Sequence, residues 1–177
     1  MLLALGLGWW MTPRPQDRIV WSAEGWAIGF AATLPLLVTF AISRRLRLKP
    51  LQDLKKLVDE LLVRLFDGCT LPQLAMISLL AGLGEELLFR GLLQPWLSEK
   101  AGLLIGLILT SALFGLLHAI TFTYAVLAGL IGVYFGWLLV ETENLLPPIV
   151  AHTMYDFVVL AYLTRISVAQ TTGTTGE

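Results

Sequence analysis

Residues 70–164 contain only eight charged side chains, and this scarcity constrains the fold more than any other feature of the sequence. A typical soluble domain carries about 25% charged residues, whereas this chain carries 14% and is 56% hydrophobic. Apolar runs of about 20 residues are long enough for a helix to cross a bilayer. The sequence therefore predicts an integral membrane protein whose membrane-embedded backbone is helical.

The apolar runs and one amphipathic stretch predict the arrangement of the helices. Between the first two runs, leucines and valines in residues 50–66 repeat at helical spacing, with lysines and acids between them. This pattern predicts an amphipathic helix on the membrane surface or, as an equal alternative, a soluble linker helix. The expected fold is all-α, a polytopic transmembrane helical bundle with an amphipathic interfacial helix. Its spans are predicted at residues 24–43, 72–97, 102–120, 123–140 and 147–164.

Basic residues predict the orientation of this bundle. Residues 44–64 hold most of the lysines and arginines, which favours a cytoplasmic location for that segment. The small size and the lack of organellar targeting signals favour a prokaryotic plasma (inner) membrane. Residues 1–69 are expected to form N-terminal membrane segments and the cytoplasmic-side helix, residues 70–164 the functional core, and residues 165–177 a disordered tail. Residues 1–11 are apolar but short, and are interpreted as a partial or interfacial segment rather than a signal peptide.

Composition also limits the partners of the chain. The single cysteine, Cys69, excludes an internal disulfide bond. A net charge of −1 and the lack of a basic cluster in the core argue against a nucleic-acid partner. Residues 102–140 contain too few polar side chains for the continuous polar path of a small transporter. The lipid bilayer is the one partner that composition predicts directly.

A few polar side chains interrupt the apolar spans. A charged residue at mid-helix costs roughly 2.5–3.5 kcal/mol on insertion, so four would cost on the order of 10 kcal/mol if each faced lipid unpaired. They are therefore expected to face the bundle interior, where such residues mark a functional site. The charged residues are Glu85, Glu86, Arg90 and Asp156, and the only two histidines, His118 and His152, also lie within spans.

Helical geometry assigns partners to these residues. Glu86 and Arg90 are four residues apart on one helix face and are expected to pair. Glu85 points about 100° away from Glu86, so it lacks that partner and remains free to act as a base. His152 and Asp156 are also four residues apart, which would let the carboxylate orient the imidazole or hold it protonated.

A carboxylate and two imidazoles are sufficient for hydrolysis. Glu85 is predicted to take a proton from water, His118 to hold that water, and His152 to stabilise an oxyanion together with Asp156. Alternatively, Glu85, His118 and His152 bind a zinc ion that activates the water. A purely structural role for the ion pair and for either histidine remains open at this point.

Order and spacing give these residues a family resemblance. Glu85, Glu86 and Arg90 match a motif Glu-Glu-x-x-x-Arg, Phe114 and His118 match Phe-x-x-x-His, and His152 and Asp156 match His-x-x-x-Asn/Asp. The three motifs, in this order over residues 70–164, resemble those of the type II CAAX prenyl endopeptidase and bacteriocin-processing (CPBP) family, which includes the CAAX protease self-immunity proteins.

The resemblance implies an intramembrane endopeptidase that acts on a membrane-associated peptide or protein. It assigns the water-activating role to Glu85 and a second essential role to His118. Asp156 stands where many members have Asn, and an ionised Asp cannot donate a hydrogen bond to an oxyanion. That role is therefore expected of His152, with Asp156 as its orienter. The alternative is a non-catalytic immunity protein that binds a peptide in the same polar cavity.

Straight spans would keep the two histidines apart. His118 would lie near the cytoplasmic end of its helix and His152 near the outer end of its own. A shared site thus requires a tilted, broken or re-entrant helix, and Pro147 and Pro148 mark the candidate position. We predict that Glu85, His118 and His152 nevertheless converge in one cavity, within about 10 Å of each other.

Overall fold

The computed structural model describes the backbone of residues 14–173 and the side chains of residues 14–62 and 64–165. These residues contain no β-strand, and the predicted all-α membrane bundle is confirmed. A 3₁₀ turn (Pro15–Arg18) precedes the helices, and a π-helical segment (Leu87–Leu93) joins α3 to α4. The helices are α1 (Ala23–Arg45), α2 (Lys49–Phe66), α3 (Leu71–Glu86), α4 (Gln94–Ala101), α5 (Leu103–Leu117), α6 (Phe122–Thr142) and α7 (Leu146–Gly173).

Within the described residues, three helices are long and apolar enough to cross a membrane: α1, α6 and the part of α7 at Leu146–Arg165. Helix α5 is also apolar but has only 15 residues, or about 22 Å at 1.5 Å per residue. It is therefore shorter than the roughly 30 Å hydrocarbon core of a bilayer. The predicted span at 72–97 is built from α3, the π-helical segment and α4 together.

Helix α2 has the two-faced character that its sequence predicts. Leu54 is buried against the bundle, whereas Lys55 and Lys56 on the other side are exposed. Arg44, at the end of α1, forms an ion pair with Asp59 of α2. This pair ties α2 across the basic end of α1, as an interfacial helix requires.

Residues 19–22 run alongside the connection between α6 and α7. The backbone N–H of Leu145 donates to the Arg18 carbonyl at 2.9 Å. The Asn144 amide donates to the Val20 carbonyl and accepts from the Val20 N–H, both at 2.9 Å. Asn144 Oδ1 also accepts from the backbone N–H of Leu146 at 2.9 Å, so this one side chain fastens two separate chain segments to each other.

The two prolines that mark the candidate re-entrant position lie at the start of α7. Pro147 and Pro148 lie in the first turn of α7, which begins at Leu146 directly after a short connection. Both are fully buried. Proline is well tolerated in a first turn because its missing N–H would have no intrahelical partner there.

The predicted boundary at residue 164 falls within a helix, because α7 continues to Gly173. The predicted interfacial segment at residues 1–11 and the last residues, 174–177, lie outside the described residues.

Candidate active site

The first motif lies where α3 changes into the π-helical segment. Arg90 Nη1 donates to Glu86 Oε1 at 2.9 Å, which confirms the expected pair, and both side chains are fully buried. Arg90 Nη2 donates to the carbonyl oxygen of Gly132 in α6, also at 2.9 Å. Short π-helical insertions occur frequently at functional sites. Here the insertion includes Arg90, whose side chain links α3 to α6.

Aromatic rings enclose the Arg90 guanidinium. Its central carbon lies 4.5 Å from the ring centroid of Phe114, 5.5 Å from that of Phe135 and 5.7 Å from that of Phe89. A guanidinium within about 6 Å of a ring centroid gains a cation–π attraction, which is stronger where water is excluded. The ion pair with Glu86 is therefore a desolvated, fixed part of the interior.

His152 is held by groups from two helices. Its ring stacks on Phe135, with centroids 4.9 Å apart. Its Nδ1 lies 2.9 Å from Glu86 Oε1, and its Nε2 lies 3.4 Å from Asp156 Oδ2. Ionised carboxylates only accept hydrogen bonds, so an imidazole that donates at both nitrogens is a cation. Asp156 was expected to orient this ring, and the structure adds Glu86 as a second, closer partner.

His118 follows the last residue of α5. Its ring stacks on Phe114, with centroids 4.4 Å apart, and its Nδ1 lies 2.8 Å from the Phe114 carbonyl oxygen. Because a carbonyl can only accept, Nδ1 carries the hydrogen in this contact. Nε2 is the remaining ring nitrogen, and it faces Glu85.

Glu85 brings the three motifs together. Its Oε2 lies 3.5 Å from His118 Nε2 and 3.9 Å from His152 Nε2. These distances confirm the predicted convergence of the three side chains. The Glu85 side chain is 33% exposed, whereas that of Glu86 is 0% exposed. The two adjacent glutamates therefore occupy different environments: Glu86 is sealed, whereas Glu85 is partly exposed, with its Oε2 buried against the histidines.

The two histidines lie at different points of their helices. His118 directly follows Leu117, the last residue of α5, and His152 lies six residues, or about 9 Å, into α7. The distances from Glu85 to both rings show that these two positions meet at one site.

Two residues near this cluster carried no clear signal in the sequence. Gln94 Nε2 donates to the Gly136 carbonyl at 3.1 Å, one turn beyond the contact between Arg90 and Gly132. The Gly132–Gly136 spacing indicates a close helix approach but does not identify the side chain that uses it. Tyr124, at the start of α6, packs its ring 6.4 Å from that of His118.

The arrangement does not support the zinc alternative. Across the part of the chain that the structure describes, no group of three or more His, Cys, Asp or Glu side chains could hold a metal ion. Both nitrogens of His152 already face carboxylates, at Glu86 and Asp156. A metalloprotease, with Glu85, His118 and His152 as zinc ligands, is therefore not supported.

Comparison with known proteins agrees with the motifs. The family model described as Type II CAAX prenyl endopeptidase Rce1-like matches residues 67–158, just over half of the chain, and this range contains all three motifs. No curated protein and no solved structure gives a significant match. The match implies CAAX-type intramembrane protease activity in general, in keeping with the apolar helices. The chain belongs to the Rce1-like family of type II CAAX prenyl endopeptidases.

Proposed function

We propose that this protein is an intramembrane endopeptidase that hydrolyses a peptide bond of a membrane-associated substrate, using water activated by Glu85. One observation carries the proposal. A partly exposed carboxylate faces Nε2 of His118 and Nε2 of His152 at 3.5 and 3.9 Å, while the neighbouring Glu86 is fully buried in an ion pair. Glu85 is thus the acid of the first motif that water and substrate can reach.

Attack on the peptide bond begins with proton transfer. Ionised Glu85 accepts a proton from water as the water oxygen bonds to the scissile carbonyl carbon, and the carbonyl π electrons move to the oxygen. His118 orients the same water, since Nε2 of its Nδ1–H form can accept a hydrogen bond. When the carbon–nitrogen bond breaks, the proton on Glu85 passes to the leaving amine. The products are an acid and an amine, and Glu85 is ionised again once it has passed its proton to the amine.

The third motif supplies positive charge beside the oxyanion. With Glu86 on Nδ1 and Asp156 on Nε2, His152 is held between two acceptors. A fixed cation stabilises the negative oxygen more effectively in a water-poor site than in bulk water. In this scheme Glu86 and Arg90 position His152 and take no part in proton transfer.

A cleavage assay in proteoliposomes tests the proposal. The substrates are membrane peptides, either prenylated and of CAAX type or unprenylated. Each peptide carries a fluorophore and a quencher that cleavage separates. We expect Glu85→Gln to lower kcat by about 10²–10⁴-fold, the usual contribution of general base catalysis. His118→Ala and His152→Ala should also lose activity. The matched control is Glu99→Gln, the same substitution at an exposed glutamate in α4, which should cleave at the wild-type rate.

The assay also separates the alternative function. Cleavage that persists in Glu85→Gln at the wild-type rate would contradict the mechanism. The non-catalytic immunity protein would be supported if the wild-type protein cleaved no peptide and still protected a cell from a toxic peptide that the cell itself produces.

A further inference from the structure

The third motif contains no uncharged group that could donate a hydrogen bond to the oxyanion. Nε2 of His152 lies 3.4 Å from Asp156 Oδ2, and Nδ1 is engaged by Glu86. An ionised Asp cannot donate a hydrogen bond, although an Asn at the same position could. Removal of one oxyanion donor from a hydrolase typically costs about 10²–10³-fold in kcat. A site with aspartate at position 156 therefore gains much from a donor on another helix.

Tyr124 has the position and chemistry for this role. Its ring meets the His118 ring edge-on, with centroids 6.4 Å apart and planes at 72°. Glu85 and Asp156 both lie within electrostatic range of its hydroxyl. The Tyr124 hydroxyl makes no hydrogen bond within the residues that the structure describes. A phenol ordinarily keeps its proton until about pH 10, so this hydroxyl is an uncommitted donor.

Local packing fixes Tyr124 relative to His118. The Thr121 hydroxyl caps α6 by accepting from the Tyr124 N–H at 3.1 Å. At the same level α5 lies directly against α6, because a Cβ on Gly115 would lie 2.5 Å from the Ala125 carbonyl oxygen. The end of α5 and the start of α6 are thus held together, and Tyr124 and His118 move as one unit.

We propose that the Tyr124 hydroxyl donates a hydrogen bond to the scissile carbonyl oxygen as it becomes negative. Tyr124 thereby supplies the donor that an asparagine would supply at position 156. This inference rests on the proposed hydrolysis by Glu85 and adds a residue that none of the three motifs contains. The donor is neutral before and after the reaction, so proton transfer between water, Glu85 and the leaving amine is unchanged.

Tyr134 provides the control. It lies on α6, like Tyr124, and its hydroxyl donates to the Ala32 carbonyl at 3.0 Å. Conversion of Tyr134 to phenylalanine removes the same oxygen atom without removing the proposed donor.

A double-mutant cycle tests the inference. We expect Tyr124→Phe to lower kcat by about 10²–10³-fold with KM nearly unchanged, and Tyr134→Phe to retain kcat. In an Asp156→Asn background, where the amide can donate, Tyr124→Phe should cost less than about tenfold. Phenylalanine keeps the ring contact with His118, and a melting curve verifies that each variant is folded.

Each outcome has a distinct meaning. The role of Tyr124 would be overturned if Tyr124→Phe kept the wild-type kcat or changed KM alone. It would also be overturned if Tyr124→Phe lowered kcat equally in the wild-type and Asp156→Asn backgrounds. If Asp156→Asn is inactive, the kcat and KM of Tyr124→Phe alone decide whether Tyr124 is the oxyanion donor. Loss of cleavage in Glu85→Gln with full cleavage in Tyr124→Phe retains the proposed function and rejects this inference. Cleavage that survives in Glu85→Gln rejects both.

Discussion

The crossing of α3 and α7 at Gly82 sets the spacing of the active site, and an alanine there should disturb it measurably. Gly82 lies one turn before Glu86 and packs on Thr153, the residue after His152. A Cβ at Gly82 would lie 2.9 Å from the backbone nitrogen of Thr153 and 3.1 Å from its Cα, and it would also meet the Thr153 hydroxyl. Comfortable contacts between such atoms are about 3.5–4.0 Å. The two helices must therefore separate by roughly half an ångström or more.

This separation acts directly on the distances that define the site. The hydrogen bond of 2.9 Å between Glu86 and His152 crosses the same interface, as does the 3.9 Å approach of Glu85 to His152. A misplacement of about 1 Å can cost roughly 10²-fold in rate, so Gly82→Ala should lower kcat by about tenfold or more. Overpacking of this kind also costs about 1–3 kcal/mol of stability. The measurements are peptide cleavage in proteoliposomes and thermal unfolding in detergent.

Gly129→Ala is the matched control. Its Cβ would lie 3.6 Å from the Ser111 carbonyl oxygen and 3.9 Å from the Gly115 Cα, which are ordinary contacts. We expect wild-type cleavage and melting for this variant. Wild-type kcat and melting in Gly82→Ala would refute the argument that this crossing sets the geometry. Equal losses in both variants would show that sensitivity to an added methyl group is general and not specific to the α3–α7 crossing.

Three further predictions follow from individual contacts. Arg90→Met removes the guanidinium from buried Glu86, which keeps only its contact with His152. It should destabilise the fold by up to about 3–5 kcal/mol, measured by unfolding in detergent; an unchanged melting curve would argue against a structural ion pair. Asn144→Ala removes the bonds to Val20 and should cost about 1–3 kcal/mol, with kcat per folded molecule retained; a selective loss of kcat would contradict this. Cleavage should survive treatment with a metal chelator, since water is held by protein groups in the proposed mechanism; chelator inhibition reversed by added zinc would contradict it.

Local geometry made part of the site predictable from sequence. Residues four apart on a helix share a face, and the Glu86–Arg90 pair follows from this rule alone. The same rule places Asp156 beside His152. Convergence of the motifs followed from a different argument, because the insertion cost of isolated charges leaves the bundle interior as their acceptable environment.

Contacts between distant helices could not be predicted in the same way. Glu86 and His152 are 66 residues apart in the chain, and their contact depends on the depth and rotation at which α3 meets α7. Hydrophobic periodicity does not specify either quantity. Straight spans accordingly predict that His118 and His152 lie far apart, whereas both rings face Glu85 in the structure.

The six polar residues of the motifs form two layers, and the layers divide stability from catalysis. In the inner layer, Glu86 and Arg90 are fully buried, so neither can bind water or a substrate without a large rearrangement. In the outer layer, the side chains of Glu85, His118 and Asp156 are between 27% and 33% exposed. His152 connects the layers, because its two nitrogens face a carboxylate in each. The 100° between successive helical residues thus lets two adjacent glutamates of one motif serve opposite purposes, one fixing an imidazole and the other meeting water.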